Sequence, residues 1–197
     1  VFKCALDTVD RLFGKNGKLL QTHHDASFVT GLAKQWTKAN RERPFFLFLN
    51  YMDPHYPYSA APPFDEIDGP GIPYNMIMRQ RPWQNFISRY IRTGEGLTPE
   101  IRRQVVNQYD GGIAYADHWI GKLIDDMKAK GLYDNTLIVI TSDHGESFGE
   151  HQFLDHTLTL YEDQVRVPIL VKYPKQANGG TVRSERVSII DVFATVL

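Results

Sequence analysis

The sequence predicts an α/β fold in which a partial, mostly parallel sheet is flanked by helices. Three apolar runs of strand length read as strands buried on both faces: "FFLFLNY" (45–51), "TLIVITS" (136–142) and "VPILVKY" (167–173). Helical patterns separate these runs, and strands that alternate with helices are typical of parallel sheets. Because three strands make a thin sheet, we expect residues 1–197 to form part of a larger domain.

A surface helix is predicted over residues 24–41, where apolar side chains recur every three or four positions. Its stripe consists of Phe28, Leu32, Ala33, Trp36 and Ala39. Asp25 or Ser27 is available as its N-cap. The last ten residues, "SIIDVFATVL", read as the start of another helix with Ser188 as a cap, so we expect the chain to be cut at both ends.

A long amphipathic helix is predicted from Thr98 to Gly131. Thr98 supplies an N-cap and Pro99 the first helical position, and Gly131 supplies the stop. The apolar stripe consists of Ile101, Val105, Tyr109, Ile113, Ala116, Ile120, Leu123 and Met127. Adjacent helical carboxylates point in different directions, so Asp125 and Asp126 are interpreted as part of a solvated face.

Residues 52–97 are predicted to be a long proline-rich loop region. Eight of the eleven prolines fall between Pro54 and Pro99, and no sustained apolar period runs through the segment. A long irregular segment of this kind is often functional, so it is either a lid or substrate loop or a solvated insertion without a role.

The composition excludes several classes of protein. Twenty-two basic and twenty-three acidic side chains leave a formal net charge of −1, so no global field favours nucleic acid or an anionic membrane. Cys4 is the only cysteine, which rules out a disulfide framework and a cysteine-based zinc site. No apolar run approaches the roughly 20 residues of a membrane span. Neither the oligomeric state nor the compartment follows from these residues.

Two polar clusters follow apolar runs at the point where ligands bind in open α/β sheets. Asp53 and His55 come just after the first run, and Asp143 and His144 just after the second. The crevice of such a sheet lies beyond the carboxyl ends of its strands. Asp143 offers a hard oxygen and His144 an imidazole nitrogen, so both side chains could bind one cation. The alternative is a turn in which Asp143 makes an Asx bond and His144 is merely exposed.

Histidines are concentrated in the loop after the second run. His144, His151 and His156 fall within thirteen residues, and histidine is the usual proton carrier near neutral pH. Three others lack such a context and are interpreted as surface or helix-face residues: His23, His24 and His118.

Three segments in order resemble the sulfatase family of the alkaline phosphatase superfamily. They are "RPFFLFLNYMDPHYPY", "YDGGIAYADHWIGKLIDDMKAKGLYDNTLIVITSDHGESFGEH" and "DHTLTLYEDQVRVPILVKYP". The resemblance runs from about residue 44 to residue 197. It implies a large α/β domain that hydrolyses sulfate esters, or phosphate and phosphonate esters, with one divalent metal in the sulfatase branch.

The resemblance also implies roles for individual residues. Asp143 would be a metal ligand with His144 at the next position, and Ca²⁺ is the expected ion, with Mn²⁺ or Mg²⁺ as alternatives. His55 would contact the charged group of the substrate or protonate the leaving oxygen. His156 lies near the place where many arylsulfatases carry a sulfate-binding lysine, and His151 is a second candidate there.

The chain departs from the family at the nucleophile. Sulfatases make it from Cys or Ser in the pattern Cys/Ser-x-Pro-x-Arg, which is not found here, and the aspartates at 125–126 lie on the predicted long helix rather than after a first strand. We therefore expect the nucleophile to lie in a preceding segment, and this chain alone to be inactive.

Three functions remain open on these residues. The first is a sulfuric ester hydrolase, and the second is a phosphodiesterase or phosphonate monoester hydrolase of the same superfamily. The third is a non-catalytic relative that binds a glycan or a protein. A nucleophile motif in the upstream coding sequence would favour the enzymes. Many relatives are periplasmic, extracellular or membrane-anchored, but these residues show no compartment.

Overall fold

The computed structural model describes residues 25–58, 60–66, 80–156 and 159–196, without the side chains of 80–82. The helices are α1 (Ala26–Asn40), α2 (Gln80–Thr93), α3 (Pro99–Ala129), α4 (Glu162–Val165) and α5 (Asp191–Val196). The strands are β1 (Ile138–Thr141), β2 (Ser147–Phe148), β3 (Leu154–Asp155) and β4 (Ile169–Lys172). Short 3₁₀ helices cover Phe64–Glu66, Glu150–Gln152 and Pro174–Gln176. None of the helices in the described ranges has the length and apolar character that a membrane span requires.

The chain divides into two compact units. The first comprises residues 1–71 and 107–130, and the second comprises residues 72–106 and 131–197. The division falls within α3, whose residues up to Val106 belong to the second unit.

In the first unit, α1 is confirmed, but of its predicted stripe only Ala33 is buried, and the buried face is completed by Ala26, Thr30 and Thr37. Asp25 is the N-cap, and its side chain accepts a hydrogen bond from the backbone N–H of Phe28. Phe28 is 43% exposed, whereas Thr30 is fully buried. The Thr30 hydroxyl donates to the carbonyl of Trp119 at 3.2 Å. A satisfied threonine can therefore replace a large apolar residue in the interface, which an apolar stripe alone does not predict.

The long helix α3 is confirmed from its cap to its stop. The hydroxyl of Thr98 accepts the N–H of Ile101 at 3.2 Å, and Gly131 has the positive φ of 68° that suits a helix end. In the first unit, a Cβ on Gly112 would overlap the carbonyl oxygen of Asp53, so glycine lets α3 pass directly against that backbone.

In the second unit, β1 and β4 pair with each other, and β2 pairs with β3. Both pairs are antiparallel, with Val139 opposite Val171 and Phe148 opposite Leu154. The mostly parallel arrangement that we expected does not describe these pairs. A parallel pair needs a crossover connection, usually a full helix. Among the described residues, the connection from β1 to β4 holds the β2–β3 pair, a 3₁₀ helix and the four-residue α4, and none of these is a full crossover helix.

Two predicted regions differ in the structure. Residues 45–51 form no strand ladder with the other described residues, and their exposure alternates, with Phe46 55% and Phe48 77% exposed. The proline-rich region 52–97 contains the helix α2, which buries an apolar stripe of Trp83, Ile87 and Tyr90. Pro82 falls in the first turn of α2, where proline is tolerated, so a high proline content did not exclude a helix.

Candidate functional site

Asp143 and His144 lie in the turn that follows β1, and hydrogen bonds from the neighbouring hydroxyl residues hold this turn. Ser142 Oγ donates to the carbonyl of His144 at 2.6 Å, and Thr141 Oγ1 donates to the carbonyl of Pro168 at 2.8 Å. The Asp143 side chain is 89% exposed. The turn is therefore held by hydroxyls, and the Asp143 carboxylate projects into solvent.

The geometry of Asp143 and His144 suits a shared cation. Nε2 of His144 lies 3.8 Å from Oδ1 of Asp143. Nδ1 of His144 lies 2.8 Å from the carbonyl of Gly145, which can only accept, so Nδ1 is the donor and Nε2 carries the lone pair when the ring is neutral. A histidine that ligates a metal usually donates its other N–H in this way. The two residues thus fit one oxygen and one nitrogen ligand of a divalent ion.

His156 stacks on His144 beside two carboxylates. The two ring centroids are 4.0 Å apart, and the rings are inclined by 24°. Nδ1 of His156 lies 3.3 Å from each oxygen of Glu146 and 2.8 Å from Oδ1 of Asp155. Burial and the neighbouring His144 lower the pKa of His156 below its ordinary value, although Asp155 and Asp143 act in the opposite direction. Glu146, Asp155 and His156 also lie close enough for their ligand atoms to hold a cation.

The helix α4 fixes both segments that carry these groups. Gln164 accepts the backbone N–H of Gly145 at 2.7 Å, and its side chain donates to the hydroxyl of Ser147 at 2.7 Å and to the carbonyl of Asp155 at 3.3 Å. Ser147 in turn donates to the carboxylate of Asp163. Gln164 is 4% exposed and Ser147 is fully buried, so these hydrogen bonds are shielded from water.

The first unit contains Asp53 and His55. Oδ1 of Asp53 accepts the backbone N–H of Ala26 at 3.0 Å. Burial raises the pKa of Asp53, although that hydrogen bond acts against the rise. Nδ1 of His55 lies 2.6 Å from the carbonyl of Tyr56. His55 and His156 belong to different units, so a pocket shared by the two imidazoles stays a prediction.

The remaining histidines are distributed as follows. His151 stacks on Tyr161 with ring centroids 3.9 Å apart, and His118 lies edge-on to Trp119 on the face of α3. His23 and His24 lie outside the described residues.

The site also includes three residues to which the sequence reasoning gave no role: Glu146, Asp155 and Gln164. Glu146 lies directly after Gly145 in the sequence, but its contact with His156 arises near the antiparallel pair of β2 and β3. That pairing places Ser147 opposite Asp155, and a period-2 pattern is too short to detect in two-residue strands.

These features define an α/β protein with a candidate cation site just beyond the end of a strand. The family model described as Sulfatase matches residues 5–197, and the chain belongs to the sulfatase family. This confirms the resemblance and, with it, the α/β class.

Individual relatives agree with this membership. Over 202 residues the chain is 28% identical to the multifunctional alkaline phosphatase superfamily protein PehA of Trinickia caryophylli, covering 93% of this chain and 39% of that protein. It is 25% identical over 175 residues to an endo-4-O-sulfatase of Bacteroides thetaiotaomicron, covering 89% of this chain and 32% of that protein.

A solved structure shows the same fold. The phosphonate monoester hydrolase of Agrobacterium radiobacter matches with a TM-score of 0.68 and 25% identity, covering 87% of this chain and 37% of that one. The chain therefore spans between 32% and 39% of the length of these three relatives.

Proposed function

We propose that this chain is part of a metal-dependent sulfuric ester hydrolase and contributes metal ligands and substrate contacts to it. The observation that carries the proposal is the pair formed by Asp143 and His144, whose oxygen and nitrogen lie 3.8 Å apart beyond the end of β1. Family membership supports the choice of ester hydrolysis, as does the endo-4-O-sulfatase among the relatives.

Asp143 and His144 would hold the divalent ion. The ion would supply positive charge against the oxygens of the ester and act as a Lewis acid. Ca²⁺ is the expected ion, and Mn²⁺ or Mg²⁺ are alternatives because an imidazole nitrogen softens the ligand set. Two ligands are few for Ca²⁺, which takes about 6 to 8 oxygens, so further ligands must come from other residues.

His156 and His55 would contact the ester. Negative charge accumulates on the non-bridging and leaving oxygens in the transition state, and hydrogen-bond donors placed around them stabilise it more than the ground state. The pKa of His156 is low in the chain itself. An ester anion bound beside the ring would raise it again, because a nearby negative charge favours the imidazolium.

The second candidate is a hydrolase of phosphate diesters or phosphonate monoesters. His144 beside Asp143 occurs in that branch of the superfamily as well. The phosphonate monoester hydrolase has the same fold in the aligned region, at a TM-score of 0.68. A panel of aryl sulfate, phosphate diester and phosphonate substrates, assayed with the full-length protein, separates the two candidates by their relative kcat/KM.

Metal analysis of the full-length protein tests the cation site. We expect Asp143→Ala to lose the bound ion. Its kcat/KM should fall by more than the loss of about 10- to 100-fold that follows removal of a residue hydrogen-bonded to a metal ligand. Asp125→Ala is the matched control, because Asp125 is an exposed carboxylate on α3. Unchanged metal content in Asp143→Ala would refute the assignment.

A further inference from the structure

Glu146 is a buried carboxylate with no role in the proposal above. Its side chain is 3% exposed, and both of its oxygens lie 3.3 Å from Nδ1 of His156. Burying a carboxylate is unfavourable unless hydrogen bonds or opposite charges compensate it. The imidazole of His156 supplies part of that compensation.

The backbone brings these two residues together. Ser147 stands opposite Asp155 in the β2–β3 pair, and the same antiparallel register continued by one position would set Glu146 opposite His156. Directly opposed residues on one face of such a pair have Cβ atoms about 4.5–5.5 Å apart, within reach of a hydrogen bond between long side chains.

Both neighbours of Glu146 are fixed by α4. Gly145 donates its N–H to the carbonyl of Gln164, and Ser147 is bound by the side chains of Gln164 and Asp163. A Cβ on Gly145 would overlap the carbonyl oxygen of Asp163, so the backbone there is in close contact with α4. Glu146 is thus held on rigid backbone, as a residue that orients another side chain must be.

We propose that Glu146 is a positioning residue that accepts the Nδ1–H of His156 and fixes the orientation and tautomer of that ring. Nε2 is then the lone-pair nitrogen of His156, as it is of His144, whose Nδ1 is bound to the carbonyl of Gly145. In both stacked rings Nδ1 is therefore the donor and Nε2 the lone-pair nitrogen. The inference rests on the proposed function only in one respect, namely that the oriented His156 ring contacts the ester.

Asp155 is the competing partner of His156. Its Oδ1 lies 2.8 Å from Nδ1 but also accepts the backbone N–H of His156 at 2.8 Å. Asp155 has a positive φ of 71°, a conformation that is uncommon outside glycine and that aspartate adopts more readily than most residues. Its carboxylate is thus engaged in holding its own turn, whereas both Glu146 oxygens face the ring.

The tautomer can be measured in this chain by ¹⁵N-histidine NMR with long-range ¹H–¹⁵N correlation. The pH should be about 8.5, where a histidine of ordinary pKa is neutral. We expect His156 to show a protonated Nδ1 and an unprotonated Nε2. Glu146→Gln retains an acceptor oxygen and should keep that pattern, whereas Glu146→Leu removes the acceptor and should lose it. Glu185→Leu is the control, because Glu185 is exposed in the same unit.

Three results would overturn the proposal. One is a protonated Nε2 on His156 in the parent chain. Another is a protonated Nδ1 that persists in Glu146→Leu, which would assign the ring to Asp155. The third is loss of the pattern in Glu146→Gln while its backbone amide spectrum stays that of the parent. The Gln variant keeps the test valid if the Leu variant fails to fold.

Kinetics of the full-length protein test whether the orientation matters. We expect Glu146→Leu to lower kcat/KM by about 10- to 100-fold at unchanged metal content, with Glu146→Gln recovering most of the loss. Equal losses in both variants would contradict the proposal. If Asp143→Ala keeps its metal while the tautomer behaves as stated, the proposed function fails and the positioning role stands.

Discussion

Asp53 and Asp143 follow similar apolar segments, yet the structure treats their carboxylates in opposite ways. Asp53 is half-buried and accepts the N–H of Ala26 at the first residue of α1. Asp143 is 89% exposed and faces Nε2 of His144. The histidines of the two clusters are alike, since Nδ1 of His55 and Nδ1 of His144 each lie beside the carbonyl of the following residue.

The difference separates a carboxylate that is bound within the fold from one that is exposed beside an imidazole, as the proposed metal role requires. Both clusters orient an imidazole through its own turn, so histidine orientation does not distinguish them. A carboxylate that already accepts a backbone N–H in a half-buried place stabilises the fold. An exposed carboxylate next to an oriented imidazole has its lone pairs available for a cation. Substitution of Asp53 should therefore affect mainly the stability of the fold, and substitution of Asp143 mainly metal binding and activity.

The largest expected effect is the loss of activity in this chain when it is assayed alone, with both clusters present but without a nucleophile. The chain contains no Cys/Ser-x-Pro-x-Arg pattern, and loss of a covalent nucleophile removes the chemical step. We expect the purified 197-residue chain to release no nitrophenol from aryl sulfates or phosphate esters with Ca²⁺, Mn²⁺ or Mg²⁺.

One outcome would contradict that expectation. It is turnover that survives purification and disappears in Asp143→Ala. Such turnover would point to Thr141, Ser142 or Ser147 as the nucleophile. The structure argues against all three, because Thr141 and Ser142 donate to backbone carbonyls, which are not bases, and Ser147 is fully buried.

A smaller effect is expected for His55 in the full-length protein. If His55 protonates the leaving oxygen, His55→Ala should lower turnover about 100-fold for esters with poor leaving groups and much less for nitrophenyl esters. His118→Ala is the control, since His118 lies on an exposed part of α3. Equal losses across a series of leaving groups would assign His55 to binding rather than to proton donation.

Unfolding measurements compare the two aspartates directly. Asp53→Ala should lower the free energy of unfolding by about 1–2 kcal/mol, because the N–H of Ala26 loses its acceptor. Asp143→Ala should change it by no more than about 0.5 kcal/mol, as is usual for an exposed side chain. Chemical denaturation of the chain without metal gives both values, and a larger loss in Asp143→Ala would reverse the assignment of the two carboxylates.

The smallest effect is a pH dependence from Asp53. Its pKa in the folded chain is raised above 3.8, mainly by burial, so the folded state binds the proton more tightly than the unfolded state. Stability from this group is therefore greatest at low pH and falls as pH rises from the unfolded to the folded pKa. Over that range the parent should lose unfolding free energy relative to the Asp53→Asn variant, whose side chain does not titrate. A gain in the unfolding free energy of the parent relative to the variant would show that the pKa of Asp53 is lowered.

The elements that the sequence predicted are those with strong local signals. Capping residues and a sustained period gave α3, and a compact apolar run gave β1. The run at 45–51 carries the same signal but forms no ladder among the described residues, because pairing depends on a partner. Strand direction likewise depended on the pairing of β1 with β4, which no strand pattern reveals.

The candidate site was predictable to the same extent. Asp143 and His144 stand out because ionisable residues follow an apolar run, and their metal role stays a prediction. Glu146 and Gln164 do not stand out, since their importance arises from contacts across 10 and 17 positions of sequence. A buried glutamine that joins two segments has no compositional signature.

The bond from Gly145 to the carbonyl of Gln164 also has a consequence for motion. The N–H of Gly145 lies beside the candidate ligands, yet it donates at 2.7 Å to a residue that is 4% exposed. Its exchange with solvent deuterium requires α4 to separate from the β1–β2 connection. The exchange rate of this one amide therefore reports how often the site opens, even though most of the surrounding chain has the irregular backbone of a loop.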